Sequence, residues 1–197
     1  MEPDIEDLRR TYSRMSNDQL VRLATREAAG LREEAVCVIE EELVKRGLAE
    51  GAMQAVAAQR RQYTRVELDV YCGMIRHLPC PECASSAMPL NAVLVGKCMS
   101  FIVLSQYNKE LKVACPDCLR KALSNANTMT ALLGWWGIPW GLVYSIKALS
   151  WNSKMEAQAK SEQPSDLMLA FTLEHVGTIE ANKSDDTRLR ALVKDRS

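Results

Sequence analysis

Histidine is nearly absent from this sequence: His77 and His175 are the only two in 197 residues. A metal-activated hydrolase needs an open ligand position and a general base, usually a histidine or a carboxylate. Two histidines this far apart in sequence offer no such constellation, and no nucleophile motif or phosphate-cradling glycine loop accompanies them. The expectation is a protein that is not an enzyme and has no small-molecule substrate. Net charge is missing too. Lys plus Arg and Asp plus Glu are 25 each, so no overall field draws nucleic acid or an acidic surface from a distance. Internal repeats and low-complexity tracts are lacking. The N-terminal MEPDIEDLRR lacks the basic start and apolar run of a secretory signal, and the expected compartment is the cytosol.

What is present is the composition of a globular protein, 47% hydrophobic and 25% charged. Seven cysteines is an odd count, which fits a disulfide framework poorly and fits metal-bound thiolates in a reducing compartment better. Cys37 and Cys98 sit among apolar neighbours, as small buried residues do. Cys72 and Cys98 read as packing residues.

The pattern predicts an α+β protein. Residues 1–63 form a helical N-terminal region. Leu20, Val21, Leu23, Ala24 and Ala28 make one stripe, opened by a Ser16/Gln19 capping box and ended by Gly30. Val36, Ile39, Leu43 and Val44 make a second, with Glu33 and Glu34 in its first turn and Lys45, Arg46 and Gly47 in its last. A third helix runs from Leu48 to about Tyr63. Residues 64–128 hold a metal ribbon, entered by a helix over 64–78. Short antiparallel strands are expected at 92–95, 100–105 and 111–114, with a turn at Asn108 and Lys109. Residues 129–151 form an apolar Trp-rich hairpin, and 152–197 a helical tail that Ser165 opens.

Cys80-Pro-Glu-Cys83 and Cys115-Pro-Asp-Cys118 repeat one pattern, a tight turn presenting two sulfurs to one point. Four thiolates satisfy tetrahedral zinc without water and leave no open position for chemistry, so Zn(2+) is the expected cofactor and its role structural. A redox dithiol would instead open a helix inside a βαβ pattern. His77 is the nearest alternative ligand. The 31 residues between the pairs exceed the usual ribbon interval and require a longer hairpin or a third strand. From Cys80 to Lys121 the basic residues exceed the acidic ones by two, which four thiolates around one zinc cancel. Nucleic acid is therefore not the expected partner.

The run TALLGWWGIPWGLVYSIKAL belongs to a stretch, Ala122 to Ile146, without a charged residue. It reaches the length of a membrane span only by including Gly134, Gly137, Pro139 and Gly141, which break helices. Two apolar arms hinged at Gly137-Ile-Pro139-Trp140-Gly141 fit better, with Trp135, Trp136 and Trp140 placed where a lipid–water interface suits them. Arg120 and Lys121 precede the run and Lys147, Lys154 and Lys160 follow it, so both flanks carry the bias of cytosolic ends. A re-entrant or monotopic hairpin is preferred over a single transmembrane helix and over a buried or docking hairpin in a soluble protein.

These residues resemble a family of bacterial proteins common among Bacteroidetes. The resemblance rests on YSRMSNDQLVRLATREAAGL, the paired cysteines of LPCPEC and KVACPDCLRKA, LLGWWGIPWGLVYSIKAL, and the tail PSDLMLAFTLEHVGTIEANK. It implies a zinc ribbon beside a membrane segment. In many ribbons a glycine follows the first cysteine turn, where this sequence has Ala84. The functional expectation is an adaptor or scaffold at the cytoplasmic face of a bacterial membrane, with an unidentified protein partner. The alternative is a cytoplasmic zinc-ribbon module that binds protein or nucleic acid through an exposed patch.

Overall fold

The computed structural model describes residues 4–101, 104–136 and 140–194. They form an α+β fold, helical apart from one two-stranded antiparallel sheet. The chain divides into two compact units, Met1–Tyr71 with Thr172–Asp186, and Cys72–Phe171 with Thr187–Ser197.

The first unit contains α1 (Ile5–Arg14), α2 (Asn17–Arg26), a 3-10 turn (Ala28–Gly30), α3 (Glu33–Lys45) and α4 (Ala49–Arg60). The Ser16/Gln19 capping box forms as expected: Gln19 donates its N–H to Ser16 Oγ at 3.2 Å and accepts the Ser16 N–H at 2.9 Å. Gly47 closes α3 at φ +69°, a left-handed conformation that glycine adopts without a steric penalty. Leu20, Ala24, Ile39 and Leu43 are fully buried at the centre. Arg46 ties α1 to α3. Its guanidinium donates to the carbonyls of Tyr12, Ser13 and Met15 at and just past the C-terminal end of α1, where carbonyls run short of helical partners, and to Glu42 at 2.7 Å. That arginine hydrogen bond holds the Glu42 carboxyl below its ordinary pKa. The short helix α9 (Val176–Ala181) returns to this unit and packs on α4. Gly177 permits the approach, since a Cβ there would lie 2.8 Å from Gln59 Cγ on α4 and 2.7 Å from the Thr25 carbonyl on α2.

The second unit is built on a hairpin. α5 (Arg65–Arg76), of which residues from Cys72 on belong to this unit, leads into the first cysteine turn, and β1 (Asn91–Phe101) then pairs antiparallel with β2 (Leu104–Ala114). The long interval between the cysteine pairs is thus one long hairpin rather than three short strands. Asn108 and Lys109 do not turn the chain; they pair with Lys97 and Gly96 inside β2. An edge strand with a solvent-facing side accepts such polar residues, which is why composition misplaced the turn.

β1 is buried on both faces, with Ala92, Val93, Val95 and Cys98 fully covered. α6 (Pro116–Leu133) and α7 (Trp140–Ala159) pack on it. An antiparallel strand turns the backbone groups of every second residue away from its partner, and an unpaired edge buried without partners would be costly. Side chains supply the partners. Ser165 Oγ donates to Ala92 O and Trp151 Nε1 to Leu94 O, each at 2.8 Å. Asn152 both accepts from Gly96 N–H and donates to Gly96 O at 2.8 Å. Thr130 Oγ1 accepts from Cys98 N–H at 3.2 Å. Asn91 completes the frame: its amide donates to the carbonyls of Gln158, Ser161 and Gln163 beyond and within the last turn of α7.

Beyond these, α8 (Asp166–Glu174) begins where Ser165 Oγ accepts the Met168 N–H at 3.1 Å, the start read from the sequence. α10 (Asp186–Lys194) ends the described chain. Among the described residues no helix is long and apolar enough to cross a membrane. The apolar run is divided instead: α6 stops at Leu133, Gly134–Trp136 turn, and α7 starts at Trp140. The hinge residues Gly137 and Pro139 lie outside the described residues.

Candidate metal centre

Three elements bring the cysteines together. Cys80 and Cys83 lie on the turn after α5. Cys115 follows β2 as the N-cap of α6, Pro116 occupies the first helical position, and Cys118 lies in the first turn. Proline suits that position because the missing N–H has no helical partner there. The four sulfurs all lie within 4.8 Å of one another, with Cys83 and Cys115 Sγ 3.7 Å apart. This cluster could hold a metal ion. His77 is not part of it; its Nδ1 lies 2.7 Å from Gly73 O on α5.

The surroundings favour negative sulfur at Cys80. The N-terminus of α6 carries the positive end of the helix dipole, and the Cys115 N–H donates to Cys80 Sγ at 3.4 Å. Burial alone would raise the Cys80 pKa, but the backbone N–H groups of Cys115, Cys83 and Glu82 outweigh it and lower the thiol to about 7. Burial raises Cys115 and Cys118, and the side chains of Cys80 and Cys83 add to the rise in both. Metal binding therefore has to displace protons from these two thiols. Lys112 reaches Glu82 at 3.3 Å and braces the first turn against β2.

Ala84 closes that turn, with its N–H on Cys80 O at 2.8 Å. It has φ 58°, the only positive φ among the described non-glycine residues. The left-handed turn therefore forms without the glycine usual there, at a cost of about 1–2 kcal/mol for a residue with a Cβ. Ala84→Gly removes that strain while adding some unfolded-state entropy. The expected net result is a gain of about 0.5–1 kcal/mol, read as a higher melting midpoint of the metal-loaded protein. An unchanged or lower midpoint would mean that the turn carries no strain.

The remaining residues singled out in the sequence gather at the far end of the same unit. Trp136 and Trp140 are 70% and 61% exposed and Trp135 is exposed as well. Gly141 is buried: a Cβ there would meet Gly134 O at 2.6 Å and Ser100 Oγ at 2.8 Å, so α6, α7 and β1 cross at glycine. Cys72 and Cys98 are buried, as expected of packing residues, whereas Cys37 is exposed. Sequence reasoning singled out Ser165 only as a helix start and missed the edge-capping roles of Asn91, Thr130, Asn152 and Ser165, because a buried polar residue has the same letter as an exposed one. Comparison with protein families, with curated proteins and with solved structures finds no match to this chain.

Proposed function

We propose that this protein is a non-catalytic, zinc-stabilised module that docks on a membrane as an adaptor or scaffold at the cytoplasmic face of a bacterium. Zinc is the ion the donor set suits. Tetrahedral coordination with bonds of about 2.3 Å requires sulfurs about 3.8 Å apart, close to the Cys83–Cys115 separation of 3.7 Å. Four thiolates close the shell, so the ion would hold the hairpin to α6 and leave no position for substrate.

The membrane reading is carried by one observation: the far end of the α6–α7 pair is arranged inside out. Thr130, Ser145, Ala148 and Asn152 are buried, while Leu132, Leu142, Val143 and Ile146 are exposed with the tryptophans. Small and polar residues inside with large apolar ones outside is how helices pack in lipid. Those exposed side chains represent on the order of 10 kcal/mol of unrealised burial, and a patch of that kind marks an interaction surface. Its height fits one leaflet. From Trp140 to Lys147, the first charge on α7, is about 10 Å at the helical rise, against about 15 Å for half of the hydrocarbon core.

Cell fractionation tests this. The protein is expected in the membrane pellet, released by detergent and not by salt. Leu132→Glu with Trp136→Glu, both at exposed positions, is expected to move it to the supernatant with its melting midpoint kept. Wild-type protein in the supernatant would favour the soluble module.

A further inference from the structure

We propose that Lys109 and Lys147 form a binding site for the phosphate of an anionic phospholipid at the rim of the apolar end. The proposal rests on the membrane reading and specifies the lipid. A column of aromatic rings leads from the end of the unit to these lysines. Trp140 stacks on Tyr144 and Tyr144 on Tyr107, each with ring centroids 6.2 Å apart. Lys147 Nζ lies 5.8 Å from the Tyr107 ring centroid and Lys109 Nζ lies 6.0 Å from the same centroid. Lys109 Nζ is also 3.2 Å from the centroid of the Trp151 ring. Two cations thus flank one tyrosine.

Neither lysine has a carboxylate partner among the described residues, whereas Lys97, next to Lys109's register partner Gly96, is paired with Glu110 at 3.0 Å. Ammonium groups placed over rings are held by the ring quadrupole and still have N–H donors for an anion. Two like charges near one ring without a counter-charge raise each other's energy, and a phosphate within reach of both lysines lowers it.

The height of the site identifies the source of the phosphate. Cys98 to Asn108 carries no charge, like Ala122 to Ile146. The strand and helix runs end at the two lysines, Lys109 and Lys147. Leu104 to Lys109 is about 17 Å along a strand, which compares with the half-thickness of the hydrocarbon. With the end of the unit inserted, the ammonium groups sit at headgroup level, among the Tyr and Trp rings that prefer that depth. The occupant is therefore a bilayer lipid rather than a phosphate from solution.

Flotation of the zinc-loaded full-length protein decides it. The probes are vesicles of phosphatidylcholine alone and of phosphatidylcholine mixed with phosphatidylglycerol. Wild type is expected to float with both and to bind the mixed vesicles about 10- to 30-fold more tightly, given what a lysine contributes at an anionic surface. Lys109→Gln with Lys147→Gln is expected to keep the affinity for phosphatidylcholine and lose the preference. Lys109→Arg with Lys147→Arg is expected to retain it, and Lys147→Gln alone, which removes one of the two cations beside Tyr107, to lose part of it. Equal binding of wild type to both vesicles, or a preference that survives the double Gln change, overturns the lysine site and leaves membrane docking standing. Displacement by millimolar glycerol phosphate would assign the site to a soluble anion. Failure of wild type to float with either vesicle overturns membrane docking itself.

Discussion

Cys115→Ser is expected to reduce bound zinc from one equivalent per chain to well below half, and to abolish cooperative melting of the second unit. Structural zinc contributes about 10–16 kcal/mol of apparent binding free energy at neutral pH, while a domain of this size is stable by about 5–15 kcal/mol. Losing the first quantity can consume all of the second. Cys115 is the apt position because it is the N-cap of α6 and its N–H supports Cys80 Sγ at 3.4 Å. Serine can still cap the helix, so a large loss isolates the sulfur from the cap. The sign with pH follows from the thiols. Burial and neighbouring cysteines raise Cys118 and Cys115, so the ion must displace protons from them. Affinity therefore rises with pH and acid releases the metal. Titration calorimetry in buffers of different ionisation enthalpy is expected to show proton release on binding. Cys115→Ser protein with full zinc content and an unchanged midpoint would remove the metal from the account of the fold.

How much of this was legible in the sequence varies with the range of the interaction. The Ser16/Gln19 box, the Gly47 stop and the Ser165 start are local devices, each complete within a few residues, and each is found where the letters place it. The two Cys-Pro-acid-Cys turns are local as well, and their repetition implied that they meet. The hairpin was misdrawn because its register is set by tertiary burial of β1, not by turn chemistry at Asn108 and Lys109. The tryptophan run showed its lack of charge but not which residues face outward. That depends on α6 and α7 both packing on β1, where Thr130 and Asn152 find backbone partners that no periodicity reveals. Likewise Lys109 and Lys147 are far apart in sequence, and only the register of β2 against the packing of α7 brings them to one ring.

Asn152→Ala is expected to destabilise the second unit by about 3 kcal/mol or more, which lowers its melting midpoint by roughly 15 °C for a unit near 100 residues. Asn152 is almost wholly buried and meets Gly96 in both directions, N–H and C=O, while its amide also donates to Asn127 Oδ1 at 2.7 Å. Alanine fills less of the site and leaves a buried donor and a buried acceptor on β1, each costing about 1–3 kcal/mol unpaired. The surrounding space does not readily supply water, because Tyr107 Oη and the Trp151 ring already close on Gly96. Asn152→Asp tests the direction of the contact. A carboxylate can accept the Gly96 N–H but faces the Gly96 carbonyl with no donor, so it is expected to be at least as damaging. Asn125→Ala, at an exposed position on α6, is the control expected to change stability by under about 0.5 kcal/mol. Chemical denaturation of the zinc-loaded proteins measures all three. A loss below about 1 kcal/mol for Asn152→Ala would show that the β1 edge is satisfied without it. The expected loss would mean that this amide, beside the Trp151 bond to Leu94 O, is a principal tie between α7 and the buried edge of β1.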